Sequence, residues 1–177
     1  GELGDILDFL KAEIDRLGVE IRYNTPLSTD LLNKIRPDKV ILATGSLPDM
    51  PVIKGLFQTK MGLITNVDLL KGRERSGERV LVLGGGMTGL ITADFLADQG
   101  KQVVVLNRKK SFAEEMSSND RFYLRESLKK HQVRLFKKTT MKRFTDDGVH
   151  FKSAGDPVEL EGFDTVVISE KMEPIRN

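Results

Sequence analysis

The sequence contains no cysteine and no tryptophan, and its only histidines are His131 and His150. The absence of cysteine excludes disulfides, a redox CxxC pair and any cysteine-bound zinc or iron–sulfur site within these residues. Because the two histidines lie in different segments, no metal site is expected. Residues 1–5 lack the basic start and apolar stretch of a secretory signal, so the cytoplasm is the expected compartment.

Long hydrophobic runs are also lacking. None approaches the ~20 apolar residues that a membrane helix needs, so no membrane partner is expected. Hydrophobic residues nevertheless make up 39% of the 177-residue chain. This content is ordinary for a globular protein and is enough for one large domain or two small ones.

The chain has little excess of charge of either sign. A formal net charge of +2 is too small to indicate nucleic acid as a partner, and the aromatic residues form no base-stacking platform. The charge is uneven, since residues 101–143 carry 13 basic and 4 acidic side chains. Such segments usually face solvent, but one beside a phosphate-binding loop would also steer an anionic cofactor.

The spacing of apolar residues predicts alternating helices and strands, which favours an α/β fold with a parallel sheet. In the first part of the chain we expect a helix over residues 5–17 ended by Gly18, a strand over 19–23, a helix from Ser28 or Thr29 to Ile35, and a buried strand over 39–43. Residues 47–60 contain two prolines and read as a connection. A short helix over residues 67–70, capped by Thr65 or Asn66, follows.

The second part of the chain begins with a buried strand over residues 79–83. We then expect a glycine turn at 84–89, a helix at 90–99, a strand at 102–106, a helix at 119–130 and a strand at 133–136. A small antiparallel meander is predicted for residues 142–144, 149–152 and 158–161, with its first turn at Asp147-Gly148. A final buried strand is predicted for residues 165–169.

The glycine turn has the form GxGxxG, and its context makes it informative. It follows a hydrophobic strand, opens a helix and leads to a second strand, as a dinucleotide-binding fingerprint requires. The first glycine permits the tight turn, the second lets the backbone approach a pyrophosphate, and the third lets helix and strand pack closely. The helix start then favours phosphate groups. The predicted ligands are Gly84, Gly85, Gly86, Met87, Thr88 and Gly89; the alternative is a βα turn that binds nothing.

The end of the second strand lacks the acidic residue that commonly binds the ribose hydroxyls of NAD. Asn107, Arg108 and Lys109 stand there instead. A carboxylate would repel a 2′-phosphate, whereas a guanidinium binds it by charge-assisted hydrogen bonds. We therefore favour NADP over NAD, the alternative being a basic loop that only faces water.

No catalytic residue is predicted. The carboxylates Glu114-Glu115 and Asp146-Asp147 are adjacent in predicted loops, and adjacency alone does not make an acid–base pair. Hydride transfer between cofactors requires positioning rather than a protein acid or base, because the cofactors carry the chemistry.

Three motifs occur in an order that resembles a known family. They are residues 18–25 (GVEIRYNT), residues 37–48 (PDKVILATGSLP) and the turn at 84–89. In this order they look like the C-terminal half of the 2,4-dienoyl-CoA reductase and trimethylamine dehydrogenase group of NADH:flavin oxidoreductases. That group belongs to the pyridine-nucleotide flavoproteins with two dinucleotide-binding domains.

The resemblance implies a nicotinamide domain inserted into an FAD-type domain. On this basis residues 1–65 are a partial FAD-type segment, residues 66–162 a Rossmann-like NAD(P)-binding domain, and residues 163–177 a return strand to the FAD-type domain. The turn at Thr44 and Gly45 would pass close to FAD. NAD(P)H would bind here and deliver hydride to FAD in the intact protein, whose other portion would be a partner and would carry FMN and an iron–sulfur cluster.

The chain departs from the family pattern in three places. The N-terminal FAD fingerprint is absent from these residues, so we expect a fragment. Ile91 replaces a glutamate that many relatives have near the nicotinamide, and Ser169-Glu170-Lys171 replaces a small residue followed by glycine.

Two alternatives to the enzyme interpretation stay open. One is a module that holds or senses a nucleotide without turnover, and the other is an assembly surface with a vestigial loop. The final substrate and a homo-oligomeric state are not indicated by the sequence.

Overall fold

The computed structural model describes residues 2–175, with side chains described from residue 4 onward. The chain divides into two compact units at the bond between Ala43 and Thr44. The elements in chain order are α1 (Glu2–Arg16), α2 (Thr29–Ile35), β1 (Ser46–Pro48), β2 (Gly62–Thr65), α3 (Asn66–Leu70), β3 (Arg79–Leu83), α4 (Met87–Asp98), β4 (Gln102–Leu106), α5 (Ser118–Lys130), β5 (Arg134–Phe136), β6 (Thr139–Phe144), β7 (Val149–Ser153), β8 (Asp156–Leu160), β9 (Thr165–Ile168) and β10 (Met172–Pro174).

The first unit contains the two predicted helices. Gly18 follows α1 in the left-handed conformation at φ +64°, which is the usual way for a glycine to end a helix. The hydroxyl of Ser28 accepts a hydrogen bond from the N–H of Leu31 at 3.2 Å and caps α2. Both helix predictions are therefore confirmed, with Ser28 as the cap of the second.

The two strands predicted in the first unit are wrong. Residues 19–23 and 39–43 form no strand in the structure, and Ile41, expected to be buried, is 90% exposed. A strand is stable only where a neighbouring strand takes up its backbone N–H and C=O groups. No strand of the described chain pairs with either segment, so the apolar pattern alone does not produce one.

The second unit is built on a five-stranded parallel sheet in the order β2-β9-β3-β4-β5. Side chains alternate between the faces, so Val80 and Val82 of β3 belong to one core cluster and Leu81 and Leu83 to another. All four are at most 2% exposed. A strand that is hydrophobic on both faces is expected in a parallel sheet covered on both sides.

Different layers cover the two faces of this sheet. Helices α3, α4 and α5 contribute residues such as Leu69, Leu90 and Leu128 to the first cluster. The antiparallel sheet β6-β7-β8 contributes residues such as Phe144 and Phe151 to the second. The predicted α/β architecture, with a Rossmann-like parallel sheet and a small antiparallel meander, is confirmed.

The parallel sheet of the second unit extends beyond residues 66–162. Strand β2, which was not predicted, and strand β9 were assigned to FAD-type segments, but β9 lies between β2 and β3 in the parallel sheet. The sheet is incomplete without them, and sequence patterns do not reveal which strands pair. The last two residues of the predicted return segment 163–177 lie outside the described residues.

The second unit begins and ends at the same place. Strand β1 pairs antiparallel with β10, and Thr44 Oγ1 donates a hydrogen bond to the carbonyl of Ile175 at 2.7 Å. The two ends of the second unit therefore lie side by side.

Several element bounds differ from the predicted ones. Helix α4 begins at Met87 rather than at residue 90, and the meander begins at Thr139 rather than at residue 142. Among the described residues, no helix combines the length and the apolar character needed to cross a membrane. No cluster of three or more potential metal-ligating side chains is found in residues 2–175.

Candidate functional site

A cleft of about 400 Å³ lies at the carboxyl edge of the parallel sheet, where β3, β4 and β9 end. Ligands of open α/β sheets bind at this edge, outside the carboxyl ends of the strands. The cleft is lined by Gly84, Gly85, Gly86, Thr88, Gly89, Asn107, Arg108, Lys109, Glu115, Ser169, Glu170 and Lys171.

Two glycines of the turn are required by its geometry. Gly84 has φ +112°, and a Cβ there would overlap the carbonyl oxygen of Ser169. A Cβ on Gly89 would overlap the carbonyl oxygen of Gly84, so any side chain would separate α4 from the end of β3. The turn is therefore as tight as a dinucleotide fingerprint requires.

The start of helix α4 opens into the cleft. Gly86 is the N-cap and offers no side chain to the free N–H groups of the first turn. These groups and the helix dipole make the end positive. The N–H of Met87 donates to Oε1 of Glu115. This bond, the backbone N–H of Glu115 and the nearby Lys109 together hold the pKa of Glu115 below its ordinary value, against desolvation.

Asn107, the first residue after β4, organises the loop beside the glycines. It is 4% exposed, and its Nδ2 donates to the carbonyl of Ser111 at 2.6 Å. Its Oδ1 accepts from the N–H of Lys109 at 3.3 Å. A Cβ on Gly85 would lie 2.6 Å from the Cβ of Asn107, so the turn and this loop are in close contact.

Arg108 lies in the cleft but is already paired. Its Nη2 is 2.8 Å from Oε2 of Glu170, whose side chain is 17% exposed. Glu170 follows β9, and strand β3 lies between the two strands that carry the pair. Lys109 is exposed. A 2′-phosphate would therefore compete with Glu170 for Arg108, whereas Lys109 faces solvent.

Ser169, the first residue after β9, lies in the same cleft. The residue is 7% exposed, and within the described chain its Oγ is buried without a hydrogen-bond partner. That oxygen lies 3.5 Å from the position of a Cβ built on Gly89. Buried polar groups are normally paired, so an unpaired hydroxyl beside the glycine turn fits a polar ligand.

The structure brings together most, but not all, of the predicted site residues. The side chain of Met87 does not line the cleft and is 41% exposed, although its N–H points toward the cleft. Thr44 and Gly45 also lie outside its lining and hydrogen-bond to Ile175 instead. These two residues were expected near FAD in the intact protein rather than in this cleft, and that expectation stays a prediction.

Sequence reasoning missed four residues of the cleft. A usable signal existed for Ser169, Glu170 and Lys171, because the sequence placed them at the end of a predicted buried strand, and that strand runs parallel to β3. Glu115 gave none, because it reaches the start of α4 from 28 positions along the chain.

The sequence model described as pyridine nucleotide-disulphide oxidoreductase matches residues 8–170. The chain belongs to this family. Its oxidoreductase relatives include an NADH oxidase from Thermoanaerobacter brockii, 37% identical over 117 residues, which cover 65% of this chain and 18% of the relative. A bilirubin reductase from Mediterraneibacter gnavus is 32% identical over 160 residues, covering 90% of this chain and 24% of the relative.

Among solved structures, the chain resembles a 2-naphthoyl-CoA reductase in complex with 2-naphthoyl-CoA. The TM-score is 0.76 at 30% identity, and the match covers 92% of this chain and 24% of that one. The chain therefore spans about a quarter or less of the length of these relatives.

Proposed function

We propose that this chain is the NAD(P)H-binding part of a flavin-dependent oxidoreductase and that, in the intact protein, it holds the nicotinamide cofactor for hydride delivery to FAD. The observation that carries the proposal is the glycine turn at the start of α4, open to a cleft at the carboxyl edge of a parallel sheet. Family membership supports it, since pyridine nucleotides are the cofactors that the family is named for.

Each part of the cleft suits one part of the cofactor. The N–H groups at Met87 and Thr88 would bind the pyrophosphate, which approaches closely because Gly86 has no side chain. The hydroxyl of Ser169 would supply a further hydrogen bond. Asn107 and Lys109 would lie toward the ribose end, because β4 carries that end in dinucleotide folds.

The protein residues bind and orient, and the reduced nicotinamide supplies a hydride that the flavin accepts. We assign FAD to the intact protein rather than to this cleft, with the unit before Thr44 as part of the FAD-type domain. The side-by-side strands β1 and β10 support an inserted nucleotide domain. FMN, an iron–sulfur cluster and the final substrate belong, on this proposal, to the rest of a longer polypeptide.

We further propose membership of the 2,4-dienoyl-CoA reductase and trimethylamine dehydrogenase group. The ordered motifs support this, as does the 30% identity to 2-naphthoyl-CoA reductase. NADPH remains the favoured cofactor because no carboxylate follows β4, although Glu170 holds Arg108 in the structure. The margin over NADH is therefore expected to be modest.

Calorimetric titration with NADPH, NADH and ADP tests the binding step. We compare the chain with Gly86→Val, which places a branched side chain in front of the start of α4. A Cβ on Gly4 meets nothing within 4 Å, so Gly4→Val is the matched control. The expected result is at least tenfold weaker binding of all three ligands by Gly86→Val alone. Absence of binding at millimolar concentration, or equal affinity in Gly86→Val, would overturn the proposal.

The hydride step is tested in the longer flavoprotein that contains this chain. Anaerobic mixing with NADPH or NADH should bleach the flavin absorbance, and Gly86→Val should raise the cofactor concentration needed. Tight nucleotide binding without flavin bleaching would instead support a module that only holds the nucleotide.

A further inference from the structure

The carboxylate of Glu115 stands in the space that the glycine turn leaves open. Its Oε1 would be 2.8 Å from a Cβ built on Gly86, and its Cδ 3.9 Å. Chain neighbours and the helix's own backbone apart, no other heavy atom of the described residues lies within 4 Å of that position. The same oxygen accepts the hydrogen bond from the N–H of Met87.

This carboxylate has the chemistry of a phosphate oxygen pair. It is an anion, it accepts a backbone N–H bond, and it lies at the positive end of a twelve-residue helix. Like any glutamate with an ordinary or lowered pKa, it is ionised at neutral pH. A second anion at the same N–H group would meet both steric and electrostatic repulsion.

The cleft also holds a polar group that Glu115 does not satisfy. Within the described chain the hydroxyl of Ser169 is buried with no partner, and the residue that carries it lines the same cleft. Glu115 therefore occupies the helix start without completing the hydrogen bonds of the cleft. This arrangement is expected if Glu115 takes the place of one part of a larger polar ligand.

The loop that carries Glu115 is anchored, but its side chain is not. Ala113 is 1% exposed and its N–H donates to the carbonyl of Gly85 at 2.9 Å. Phe112 and Met116 pack against the core cluster between the parallel sheet and the helices α3, α4 and α5. Glu115 itself is exposed, so rotation of its side chain alone vacates the helix start.

We propose that Glu115 is an intramolecular competitor of the dinucleotide: in the unliganded chain it occupies the pyrophosphate position at the start of α4, and binding must displace it. This inference rests on the proposed function and adds a residue that sets the affinity of that site. Because NADPH, NADH and ADP share the pyrophosphate, displacement of Glu115 costs the same for all three. An equal change in affinity for all three ligands therefore distinguishes a role of Glu115 from a change at the ribose end, which would affect NADPH and NADH differently.

The test compares the wild type with Glu115→Ala, Glu115→Gln and the neighbouring control Glu114→Ala, by calorimetric titration with NADPH, NADH and ADP. Glu114 is exposed, and its side chain makes no hydrogen bond in the described part of the chain. We expect Glu115→Ala to bind all three ligands about tenfold more tightly and by a similar factor for each. Glu115→Gln should lie between it and the wild type, because a neutral acceptor binds the N–H less strongly. Glu114→Ala should match the wild type.

A second measurement needs no ligand. Without Glu115 the N–H of Met87 loses its acceptor, so its hydrogen exchange should accelerate in Glu115→Ala and not in Glu114→Ala. Wild-type binding with unchanged or weaker affinity in Glu115→Ala would overturn this inference alone. Failure of all four proteins to bind any of the ligands would overturn the proposed function, and this inference with it.

Discussion

Similar sequence patterns form different structures in the two units of this chain. Residues 39–43 and residues 79–83 both read as buried strands, yet Ile41 is 90% exposed whereas Val82 is fully buried. The second segment lies between two parallel partners, β9 and β4, and the first has none in the described chain. An apolar run therefore predicts the potential to form a strand, and its partners decide whether the strand forms.

The largest expected effect is on stability, and it tests whether the first unit has a hydrophobic core as developed as that of the second. Leu81→Ala removes a fully buried side chain from the core cluster between the parallel sheet and the sheet β6-β7-β8. It should lower the free energy of unfolding by about 2–5 kcal/mol. Ile41→Ala should cost much less, because the side chain gives up little buried surface. Urea unfolding of both variants measures the difference. Equal losses would mean that Ile41 is buried in solution and that the strand at 39–43 does form.

A smaller effect concerns acidic residues of the two units. Asp164 accepts hydrogen bonds from the N–H groups of Glu78 and Arg79 at 2.7 and 2.9 Å. Desolvation raises the pKa of Asp164, but the bonds from Arg79 and its other donors outweigh it and leave the pKa below its ordinary value. Asp164→Asn should therefore cost about 1–2 kcal/mol of unfolding free energy at pH 7.

The pH dependence gives the sign of this effect. A depressed pKa stabilises the fold above the ordinary aspartate pKa of about 4, and the contribution disappears as the pH falls through the lower folded value. The gap between wild type and Asp164→Asn should accordingly shrink as the pH falls below the ordinary aspartate pKa of about 4 and through the lower pKa of the folded state. In the first unit, Glu13 also has a lowered pKa, through Arg16, but the pair is exposed. Glu13→Gln should leave stability unchanged, and a loss as large as that of Asp164→Asn would contradict the contrast.

The smallest effect concerns the cleft at the carboxyl edge of the parallel sheet, where substitutions should alter cofactor binding without altering folding. Glu170→Gln releases Arg108 and should tighten NADPH binding about two- to fivefold, the range of a partly exposed ion pair, with NADH unchanged. Glu159→Gln removes a carboxylate that lies outside the cleft lining and pairs with His150 instead, and it is the control. Calorimetric titration with both cofactors measures the ratio, and an equal gain for NADH would show that Arg108 does not read the 2′-phosphate.

Prediction from the sequence was most reliable where local chemistry decides the outcome. The start of the turn at Gly84 was placed correctly, and glycine is required both there, at φ +112°, and at the contact between Gly89 and the carbonyl of Gly84. Ser28, a small polar residue before a helical pattern, was among the predicted caps for the same reason. The basic residues after β4 were placed at the cleft because a βαβ unit brings consecutive strand ends to one edge.

Prediction was less reliable where distant segments meet. Strand β2 has four residues and no distinct signal, and its role depends on β9, which lies a hundred residues later in the chain. The pairing of Arg108 with Glu170 spans 62 positions, and that of Met87 with Glu115 spans 28. Long-range contacts of this kind have no signature in the spacing of residues, because spacing reports only which neighbours share a face.

The sequence by itself determined the α/β class, the glycine turn and its helix, and the absence of an acid after β4, since each depends on backbone conformation or on residues close along the chain. Only the tertiary structure decided which strands form the sheet, where the second unit begins and ends, and which charges face one another in the cleft. These depend on hydrogen-bonded pairing and packing between segments far apart in sequence, and the free energy of such contacts exists only once the chain has folded.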